Sequence, residues 1–393
     1  MTDRVHGPRT ALLLVASWPS DAGYAWWLME SFWATLAREY ASELRVLLAY
    51  PEINEVPATI EEAPIELKRL DFKPGGVGSL WRQCLFLRRH RVKAIYFSDR
   101  ASWAWRYALF RLFGVRLIIV HDHTPGLRQR PAGIKRWLKR LVHRLPLVPV
   151  DAAIGATEFV RRRLVEVNGM PENRTYAAPN GLPPRRLAAD ALDLYETFAI
   201  PRDRMLMIMT GRAHPYKRVG FVLQCLEHLK SRGRSDLHFV FVGAGPHLEE
   251  LIAEAARRGV SEQCTFTGRR DDVPSLLGGV DLAIHPSRGE VGYSLSILEY
   301  MHAGLPTLVP DNPSVSGATS HGDTGLIFPE GDVDAACDQL EGLLDHPERR
   351  REIGARAREA AREFGLDRTH EALLRAFRQA DEGKGVLRNR AQA

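Results

Sequence analysis

The chain has 393 residues and a mass of 44.2 kDa, which at about 150 residues per domain predicts two or three domains. Hydrophobic residues make up 45% and charged residues 26%, so the composition excludes a disordered, a collagen-like or a disulfide-scaffold protein. Residues 1–190 carry 29 Lys and Arg against 18 Asp and Glu, a net charge of +11, whereas the rest has a net charge of −5, so the first half is expected to meet an anionic partner.

Apolar segments typical of buried strands alternate with helical patterns from one end of the chain to the other. The first, Ala11–Trp18, resembles a short signal peptide, but it runs directly into a turn, and we interpret it as a buried strand. Continuous apolar strands that are each followed by a helix are typical of parallel sheets covered on both faces. The sequence predicts strands at Ala11–Ser17, Leu44–Tyr50, Val92–Ser98, Arg116–His121, Val150–Ala156, Arg204–Thr210, Leu237–Gly243, Cys264–Gly268, Val280–Pro286, Leu305–Pro310 and Gly325–Phe328.

This pattern predicts an α/β fold class with two Rossmann-like, doubly wound parallel-sheet domains that face each other across a cleft. The domain boundary is placed shortly after the turn pair Asn180-Gly181, where two prolines follow and the charge balance changes sign. Residues 1–183 then form an acceptor-side domain and residues 184–366 a second domain. Residues 367–380 form a closing helix, and residues 381–393, which have little apolar content, form a disordered tail.

The densest positive charge lies in the segment Leu127–Arg144, where apolar residues recur at helical spacing between basic ones. Such a helix either lies on an anionic membrane surface or packs its apolar stripe on the sheet, and the sequence does not decide between them. Nucleic acid is disfavoured as a partner because no binding motif accompanies the charge. No apolar run is long enough to span a membrane, and the four cysteines form no C-x-x-C pair, so the predicted location is cytoplasmic, with peripheral attachment to the inner membrane surface as an alternative.

Two loops of the second half follow predicted strands and lead into helices. In the first, Gly211 and Arg212 follow the strand and Lys217 stands just before the helix, where a phosphate or diphosphate is commonly held. We therefore interpret Arg212 and Lys217 as an anion clamp. The second loop, Gly243-Ala244-Gly245-Pro246, lacks the third glycine of the dinucleotide fingerprint, so NAD is not predicted and a tight turn explains the glycines.

The segment from His285 to Pro306 carries the most chemical information. A strand leads into a glycine-bearing loop and then into a short helix that Gly304 ends. The N–H groups expected to point out of the helix start toward an anion are those of Gly292, Tyr293 and Ser294. Glu290 in the loop and Glu299 on the helix flank these groups, and carboxylates accept hydrogen bonds from the vicinal hydroxyls of ribose and hexoses. The arrangement predicts a sugar-nucleotide site.

In the order and spacing of these motifs, residues Met205–Pro310 resemble the donor domain of the retaining family-4 glycosyltransferases of GT-B fold. The matching motifs are G-R-x4-K, V-G-x-G-P and P-S-x-E-G-[FY]-[GS]-x4-E-x4-G-x-P. The first half resembles the family more loosely, through His121-Asp122 at a strand end and the Asn180-Gly181 turn. The resemblance implies that a sugar moves from a UDP- or GDP-linked donor to a glycan or lipid-linked acceptor with retention and without a metal ion or other cofactor. It also implies that the closing helix crosses back to the first domain.

Residue by residue, the resemblance implies that Arg212 and Lys217 hold the donor diphosphate and that Glu299 holds the ribose hydroxyls. It further implies that Glu290 binds the transferred sugar and His121 one of that sugar's hydroxyl groups. The predicted catalytic residues are His121, Arg212, Lys217 and Glu290. The predicted donor-binding residues are Gly23, Gly211, Gly243, Gly292, Tyr293, Ser294 and Glu299.

Two departures from the family pattern motivate a rival hypothesis. Glu290 and Glu299 are nine residues apart instead of the usual eight, because Val291 lengthens the loop, and the glycine pair after the first strand is reduced to Gly23. The rival is a non-catalytic nucleotide-sugar-binding subunit. An epimerase of similar architecture is disfavoured because it lacks this pattern of basic and glutamate residues.

Two groups of side chains resemble metal ligands. His121, Asp122 and His123 follow a strand, but no further ligand cluster accompanies them, so a metal site is disfavoured. Asp332 and Asp334 form a D-x-D, which an acidic first helical turn explains. No metal ion is therefore predicted.

Overall fold

The computed structural model describes residues 9–21, 26–183 and 190–387. The chain folds into two compact units. Unit 1 contains the described residues up to Thr124, Arg128–Pro179 and those from His370 onward, and unit 2 contains Pro125–Leu127 and Asn180–Thr369. Gly23, predicted to bind the donor, lies outside the described residues, as do residues 184–189, which directly follow the predicted domain boundary.

Unit 1 is built on one parallel sheet. Its strands in the described residues are β1 (Ala11–Val15), β2 (Arg45–Tyr50), β3 (Glu66–Arg69), β4 (Val92–Ser98), β5 (Leu117–Asp122), β6 (Ala152–Gly155) and β7 (Thr175–Ala177). Their order in the sheet is β3-β2-β1-β4-β5-β6-β7. The helices between them are α1 (Trp27–Tyr40), α2 (Ala58–Glu61), α3 (Val77–Arg89), α4 (Trp105–Leu112), α5 (Gly133–Val142) and α6 (Glu158–Glu166).

The strand order of unit 1 reverses at β1, which pairs with β2 on one side and with β4 on the other. A reversal of this kind leaves a crevice at the carboxyl ends of the two central strands, where open α/β sheets bind their ligands. The two ends are joined there by the Ser17 hydroxyl, which donates a hydrogen bond to the Ser98 carbonyl oxygen at 3.1 Å. The loops after β1 and β4 are therefore the ones that border this crevice.

Unit 2 repeats the scheme on a second parallel sheet. Its strands in the described residues are β8 (Met205–Thr210), β9 (Leu237–Val242), β10 (Cys264–Phe266), β11 (Leu282–Ile284), β12 (Thr307–Pro310) and β13 (Leu326–Phe328). Their order is β10-β9-β8-β11-β12-β13. The remaining helices are α7 (Leu194–Thr197), α8 (Val219–Ser231), α9 (Leu248–Arg257), α10 (Val273–Gly278), α11 (Leu295–Ala303), α12 (Val333–Asp345), α13 (Pro347–Ala361) and α14 (Leu366–Asp381).

The central strand β8 shows why the strands are apolar throughout instead of alternating. Met207 and Met209 pack into one hydrophobic core, whereas Leu206 and Ile208 pack into a second core. Because successive side chains of a strand point to opposite faces, both faces of this sheet are buried. Two sheets of this kind confirm the predicted fold class of two Rossmann-like parallel-sheet domains.

The C-terminal helix α14 belongs to unit 1 from His370 onward. The Phe377 ring lies 5.3 Å from that of Tyr96 on β4, and His370 Nε2 lies 3.0 Å from the Ser31 hydroxyl on α1. The helix therefore supplies core residues to a sheet whose strands lie far upstream in the sequence.

The predicted disordered tail is wrong for residues 381–387. The Asp381 carboxylate accepts hydrogen bonds from the N–H groups of Val386 and Leu387, and Lys384 Nζ lies 2.7 Å from a carboxylate oxygen of Asp151. The Leu387 side chain is buried. One carboxylate and one apolar side chain thus fix a segment whose average composition is polar. Residues 388–393 lie outside the described part.

The basic segment Leu127–Arg144 contains helix α5, and the structure shows where the apolar face of this helix lies. No residue of α5 is buried, and on its apolar face Ile134 is 72% and Trp137 59% exposed. The apolar stripe therefore does not pack on the sheet of unit 1. Among the described residues, no helix is both long enough and apolar enough to cross a membrane.

Candidate functional site

The loop between β11 and α11 holds Glu290 in a buried position. Its Oε1 atom accepts a hydrogen bond from Lys217 Nζ at 2.5 Å and another from His285 Nε2 at 3.0 Å. Burial by itself raises the pKa of this carboxyl group, but the Lys217 charge and the His285 hydrogen bond outweigh burial and lower the Glu290 pKa to about 2. Glu290 is therefore an ionised hydrogen-bond acceptor at neutral pH.

His285 directly follows β11 and orients Glu290. Burial lowers the pKa of His285, so the ring is neutral near pH 7. A neutral imidazole carries one N–H, and an ionised carboxylate only accepts, so we assign the ring proton to Nε2. No role was predicted for His285, although a polar residue that ends a buried strand is a signal for one.

Asn312 and Ser314, which were not predicted either, hold the Glu290 loop in place. Asn312 Nδ2 donates to the Arg288 carbonyl oxygen at 3.0 Å, and Asn312 Oδ1 accepts from the Ser314 N–H at the same distance. The Ser314 carbonyl oxygen accepts from the Gly292 N–H at 2.8 Å. The lengthened loop is thus anchored on both sides of Glu290.

Lys217 and Arg212 both lie in the segment between β8 and α8, but in different surroundings. The Lys217 side chain is 17% exposed and is paired with Glu290. Arg212 is exposed and makes no hydrogen bond or ion pair with a residue that the structure describes. Because a lysine ammonium has three donors, its bond to Glu290 leaves two for an anion. The predicted clamp thus combines a partly buried, oriented cation with an exposed one.

The glycines after β9 are required by the close approach of two loops. A Cβ atom on Gly243 would lie 1.7 Å from the Gly211 carbonyl oxygen, and one on Gly245 would lie 2.5 Å from the Ala213 carbonyl oxygen. The Gly211 N–H also donates to the Val242 carbonyl oxygen at 3.0 Å. This packing agrees with the predicted tight turn, while donor binding by Gly211 and Gly243 stays a prediction.

Gly243→Ala is expected to destabilise unit 2 by about 1–3 kcal/mol, because the added methyl group overlaps the Gly211 carbonyl oxygen unless a strand end moves. Thermal unfolding measures the effect. Gly365→Ala is the matched control in the same unit, since a Cβ atom there meets no described atom within 4 Å. Equal melting temperatures for the two variants would contradict the close approach.

Helix α11 begins and ends where the sequence predicts. The Ser294 hydroxyl accepts a hydrogen bond from the Ile297 N–H at 3.2 Å, and Gly304 follows the helix with a φ of +74°. The prediction that the Gly292 N–H faces an anion is wrong, because this group donates to the Ser314 carbonyl oxygen. The N–H groups of Tyr293 and Ser294 make no hydrogen bond within the described ranges.

Tyr293 and Glu299 have different positions relative to this helix start. The Tyr293 hydroxyl donates to the Asn180 carbonyl oxygen at 3.1 Å, so the side chain serves packing. Glu299 lies on α11. The hydroxyl oxygen of Tyr300, the next residue, accepts a hydrogen bond from the Thr210 N–H at the end of β8. This bond fixes α11 beside the loop that carries Arg212. Ribose binding by Glu299 stays a prediction.

In unit 1, His121 is fully buried near the end of β5 and stacks on Phe32. The Tyr96 hydroxyl lies 2.7 Å from His121 Nδ1 and has no other partner among the described residues. Tyr96 therefore donates this bond, which places the ring proton of His121 on Nε2. Burial keeps the pKa of His121 well below its usual value. His121 Nε2 is a neutral donor that no described residue satisfies.

The neighbours of His121 form hydrogen bonds and an ion pair that the sequence did not predict. Asp122 accepts a hydrogen bond from the Thr124 N–H at 2.8 Å and pairs with Arg163 at 3.2 Å. The His123 N–H donates to an Asp99 carboxylate oxygen at 2.6 Å. In the residues that the structure describes, no group of three or more His, Cys, Asp or Glu side chains is placed to hold a metal ion.

Comparison with known proteins gives matches across both units. Residues 29–186 match the profile of glycosyltransferase family 4, and residues 194–360 match that of glycosyl transferases group 1. The chain is similar to an alpha-D-kanosaminyltransferase of Streptomyces kanamyceticus, with 26% identity over 300 residues, 74% of this chain and 77% of that protein. It is also similar to a GDP-mannose-dependent alpha-(1-6)-phosphatidylinositol monomannoside mannosyltransferase of Mycobacterium tuberculosis, with 24% identity over 286 residues, 70% of this chain and 72% of that protein.

Among solved structures, Anabaena HepE in complex with UDP has a TM-score of 0.70 and 16% identity to this chain, covering 94% of this chain and 99% of the HepE chain. Together with the two parallel sheets, this likeness defines the GT-B fold. The two sequence profiles lie one after the other along the chain, which is a GT-B glycosyltransferase of the family 4 type. The predicted family resemblance is thereby confirmed, including in the first half, where the motifs were sparse.

Proposed function

We propose that the chain is a retaining glycosyltransferase that moves a sugar from a UDP- or GDP-linked donor to a glycan or lipid-linked acceptor. The observation that carries this proposal is the buried Glu290 carboxylate, held ionised between Lys217 and His285, with the exposed Arg212 on the same loop as Lys217. The UDP complex of HepE and the GDP-mannose dependence in the name of the mycobacterial relative support the donor class.

In this proposal, Arg212 and Lys217 bind the donor diphosphate and stabilise the charge that develops on it as the bond to the sugar breaks. The N–H groups of Tyr293 and Ser294, at the start of α11, add partial positive charge in the same unit. These groups neutralise the leaving group, so activity is expected to be independent of metal ions and of added cofactors.

Glu290 is proposed to accept a hydrogen bond from a hydroxyl of the transferred sugar, and Glu299 from the ribose. His121 donates from Nε2 to a sugar hydroxyl oxygen, because Tyr96 occupies its other ring nitrogen. No protein nucleophile is assigned. The acceptor hydroxyl gives its proton to the departing donor phosphate oxygen, and its oxygen bonds to the anomeric carbon on the face that the diphosphate leaves, which retains the configuration.

A panel of nucleoside diphosphates and their sugars tests the donor class by thermal shift. A cognate ligand at about 100 times its dissociation constant adds about 2.7 kcal/mol to the free energy of unfolding. Donor hydrolysis or transfer, followed with and without a chelator, then tests catalysis. A protein that binds its donor but never turns it over would instead be the non-catalytic subunit.

A second proposal concerns location: we infer that unit 1 attaches peripherally to an anionic membrane surface through α5. The apolar face of α5 is exposed, and its polar face carries Lys135, Arg136 and Arg140. A basic amphipathic helix with an uncovered apolar face suits the interface between lipid headgroups and acyl chains. The name of the mycobacterial relative, a phosphatidylinositol monomannoside mannosyltransferase, supports an acceptor found at such a surface.

Changing Lys135, Arg136 and Arg140 together to Gln is expected to remove most binding to anionic vesicles, because each basic residue contributes about 1 kcal/mol near the leaflet. Lys139 is left unchanged, since its ammonium donates to the Val167 carbonyl oxygen at 2.8 Å. Cosedimentation at low and high salt measures the binding, which is screened over about 8 Å at physiological ionic strength.

The matched control changes the exposed Arg257, Arg349 and Arg351 of unit 2 to Gln and alters the net charge equally. Trp137→Phe identifies the fluorescence of Trp137, which is expected to shift to the blue on vesicles. If the wild type does not cosediment with anionic vesicles at low salt, the membrane proposal fails.

A further inference from the structure

Two arginines beside the crevice of unit 1 have no ion-pair partner among the described residues, and the carboxylates of Asp71 and Asp99 act on them only from a greater distance. Arg100 lies two residues after β4, and its Nε and Nη2 atoms are buried without a hydrogen bond to any described residue. Arg106, in the first turn of α4, donates from Nη2 to the neutral Gln83 Oε1 at 2.7 Å. Within the described ranges, neither guanidinium forms an ion pair.

The electrostatics of this pair are unfavourable without a ligand. Burial lowers the pKa of Arg100 and of Arg106, and the charge of Arg100 lowers the Arg106 pKa further, whereas the more distant Asp71 charge opposes both shifts without reversing them. Arg163 in the same unit shows the usual solution, since its buried guanidinium pairs with Asp122 at 3.2 Å. A partly buried guanidinium that no carboxylate contacts is costly, so two such groups that repel each other indicate that an anion completes the group.

The surroundings of the two arginines are fixed rather than adaptable. Gln83 is fully buried on α3, accepts the Arg106 hydrogen bond and donates from Nε2 to the Asp71 carbonyl oxygen at 2.8 Å. Lys73 lies in the same loop as Asp71, after β3. Its ammonium is 5.1 Å from the centre of the ring of Trp18, a residue that follows β1. Cationic side chains thus follow β3 and β4, and Trp18 follows β1, at the end of the sheet where ligands bind.

We propose that this crevice is an acceptor subsite that binds an oxyanion, a phosphate or carboxylate group of the acceptor, through Arg100 and Arg106. The planar guanidinium group suits bidentate recognition of either anion. Gln83 is a positioning residue that orients Arg106, and Lys73 lies at the rim. The inference rests on the proposed function, since it concerns the acceptor of the same reaction, and it is independent of helix α5.

Calorimetric titration with inorganic phosphate and with malonate, in the presence of saturating UDP, tests the subsite and compares the two anion types. UDP occupies the donor site, so added anion reports on unit 1. Arg100→Gln and Arg106→Gln are each expected to weaken anion binding about tenfold or more, because each removes a charge-assisted hydrogen bond. Arg88→Gln, on an exposed arginine of α3, is the matched control and is expected to leave it unchanged.

Thermal unfolding without ligand gives a readout that distinguishes binding from packing. Arg100→Gln removes a partly buried charge that no described carboxylate contacts, so its melting temperature is expected to equal or exceed that of the wild type, while phosphate stabilises it less. Equal phosphate affinity for Arg100→Gln and Arg88→Gln would overturn the subsite, as would UDP binding by the wild type without any anion binding. Failure of UDP itself to bind would instead refute the UDP-linked donor of the proposed function.

Discussion

Lys217→Met is expected to reduce sugar transfer by about a hundredfold to a thousandfold, the usual cost of losing one positioned donor to a developing negative charge. The same change leaves the Glu290 carboxylate buried beside the neutral His285 without a cationic partner among the described residues. Breaking a buried pair of this kind costs about 3 kcal/mol of stability, the lower end of the usual range because Lys217 is partly exposed. Initial rates and chemical denaturation measure the two effects.

A double variant separates catalysis from folding. In Lys217→Met combined with Glu290→Gln no uncompensated charge remains, so most of the stability is expected to return while transfer stays lost. Arg212→Ala is expected to lower activity with little effect on stability, since Arg212 is exposed and pairs with no described residue. Lys230→Met, on an exposed lysine of α8, is the control. Normal turnover by Lys217→Met below donor saturation would refute the clamp.

Glu290→Gln is expected to abolish most transfer and most binding of the sugar-linked donor while leaving the bare nucleoside diphosphate bound normally. Glu299→Gln is instead expected to weaken the bare diphosphate as well as the sugar-linked donor, because both carry the ribose. The reason is that Glu290 is proposed to contact the sugar and Glu299 the ribose. Calorimetry with both ligands compares the two variants, and equal losses of bare diphosphate binding would contradict the assignment of Glu290.

Glu290→Gln is also expected to change how the free energy of unfolding depends on pH. The folded-state pKa of Glu290 is about 2, below the usual value of 4.5, so the folded protein binds fewer protons than the unfolded chain between these values. The resulting stabilisation, on the order of 3 kcal/mol, is present above about pH 5 and is lost as the pH falls toward 2. Unfolding free energies of the variant should therefore fall less steeply than those of the wild type over this range.

The sequence is a better guide to central strands than to sheet edges. Val92–Ser98 is predicted at its observed bounds because both of its faces are buried, which makes the stretch from Ala94 to Phe97 continuously apolar. The edge strand β3 was missed because Glu66–Arg69 is polar and half-buried. β7, at the other edge of the sheet, was missed because Thr175–Ala177 is short, begins with a polar residue and is only partly buried.

In the candidate site, too, some features could be predicted from the sequence and others could not. Local signals were sufficient for α11, since Ser294 caps its start and Gly304 follows its end. Partners distant in sequence were not predictable: Lys217 meets Glu290 across 73 residues, and Gly292 gives its N–H to Ser314. These pairings depend on which strand ends become neighbours, and that information resides in the sheet order.

The position of α14 has a consequence for the order in which the chain can fold. Unit 1 needs residues from both ends of the sequence, because Phe377 packs against Tyr96, and the whole of Asn180–Thr369 is synthesised between them. At about 5–20 residues per second, a ribosome takes about 10–40 s to make that stretch. During this interval the apolar site for Phe377 stays uncovered on the nascent chain, and chaperone capture or aggregation competes there with completion of the first sheet.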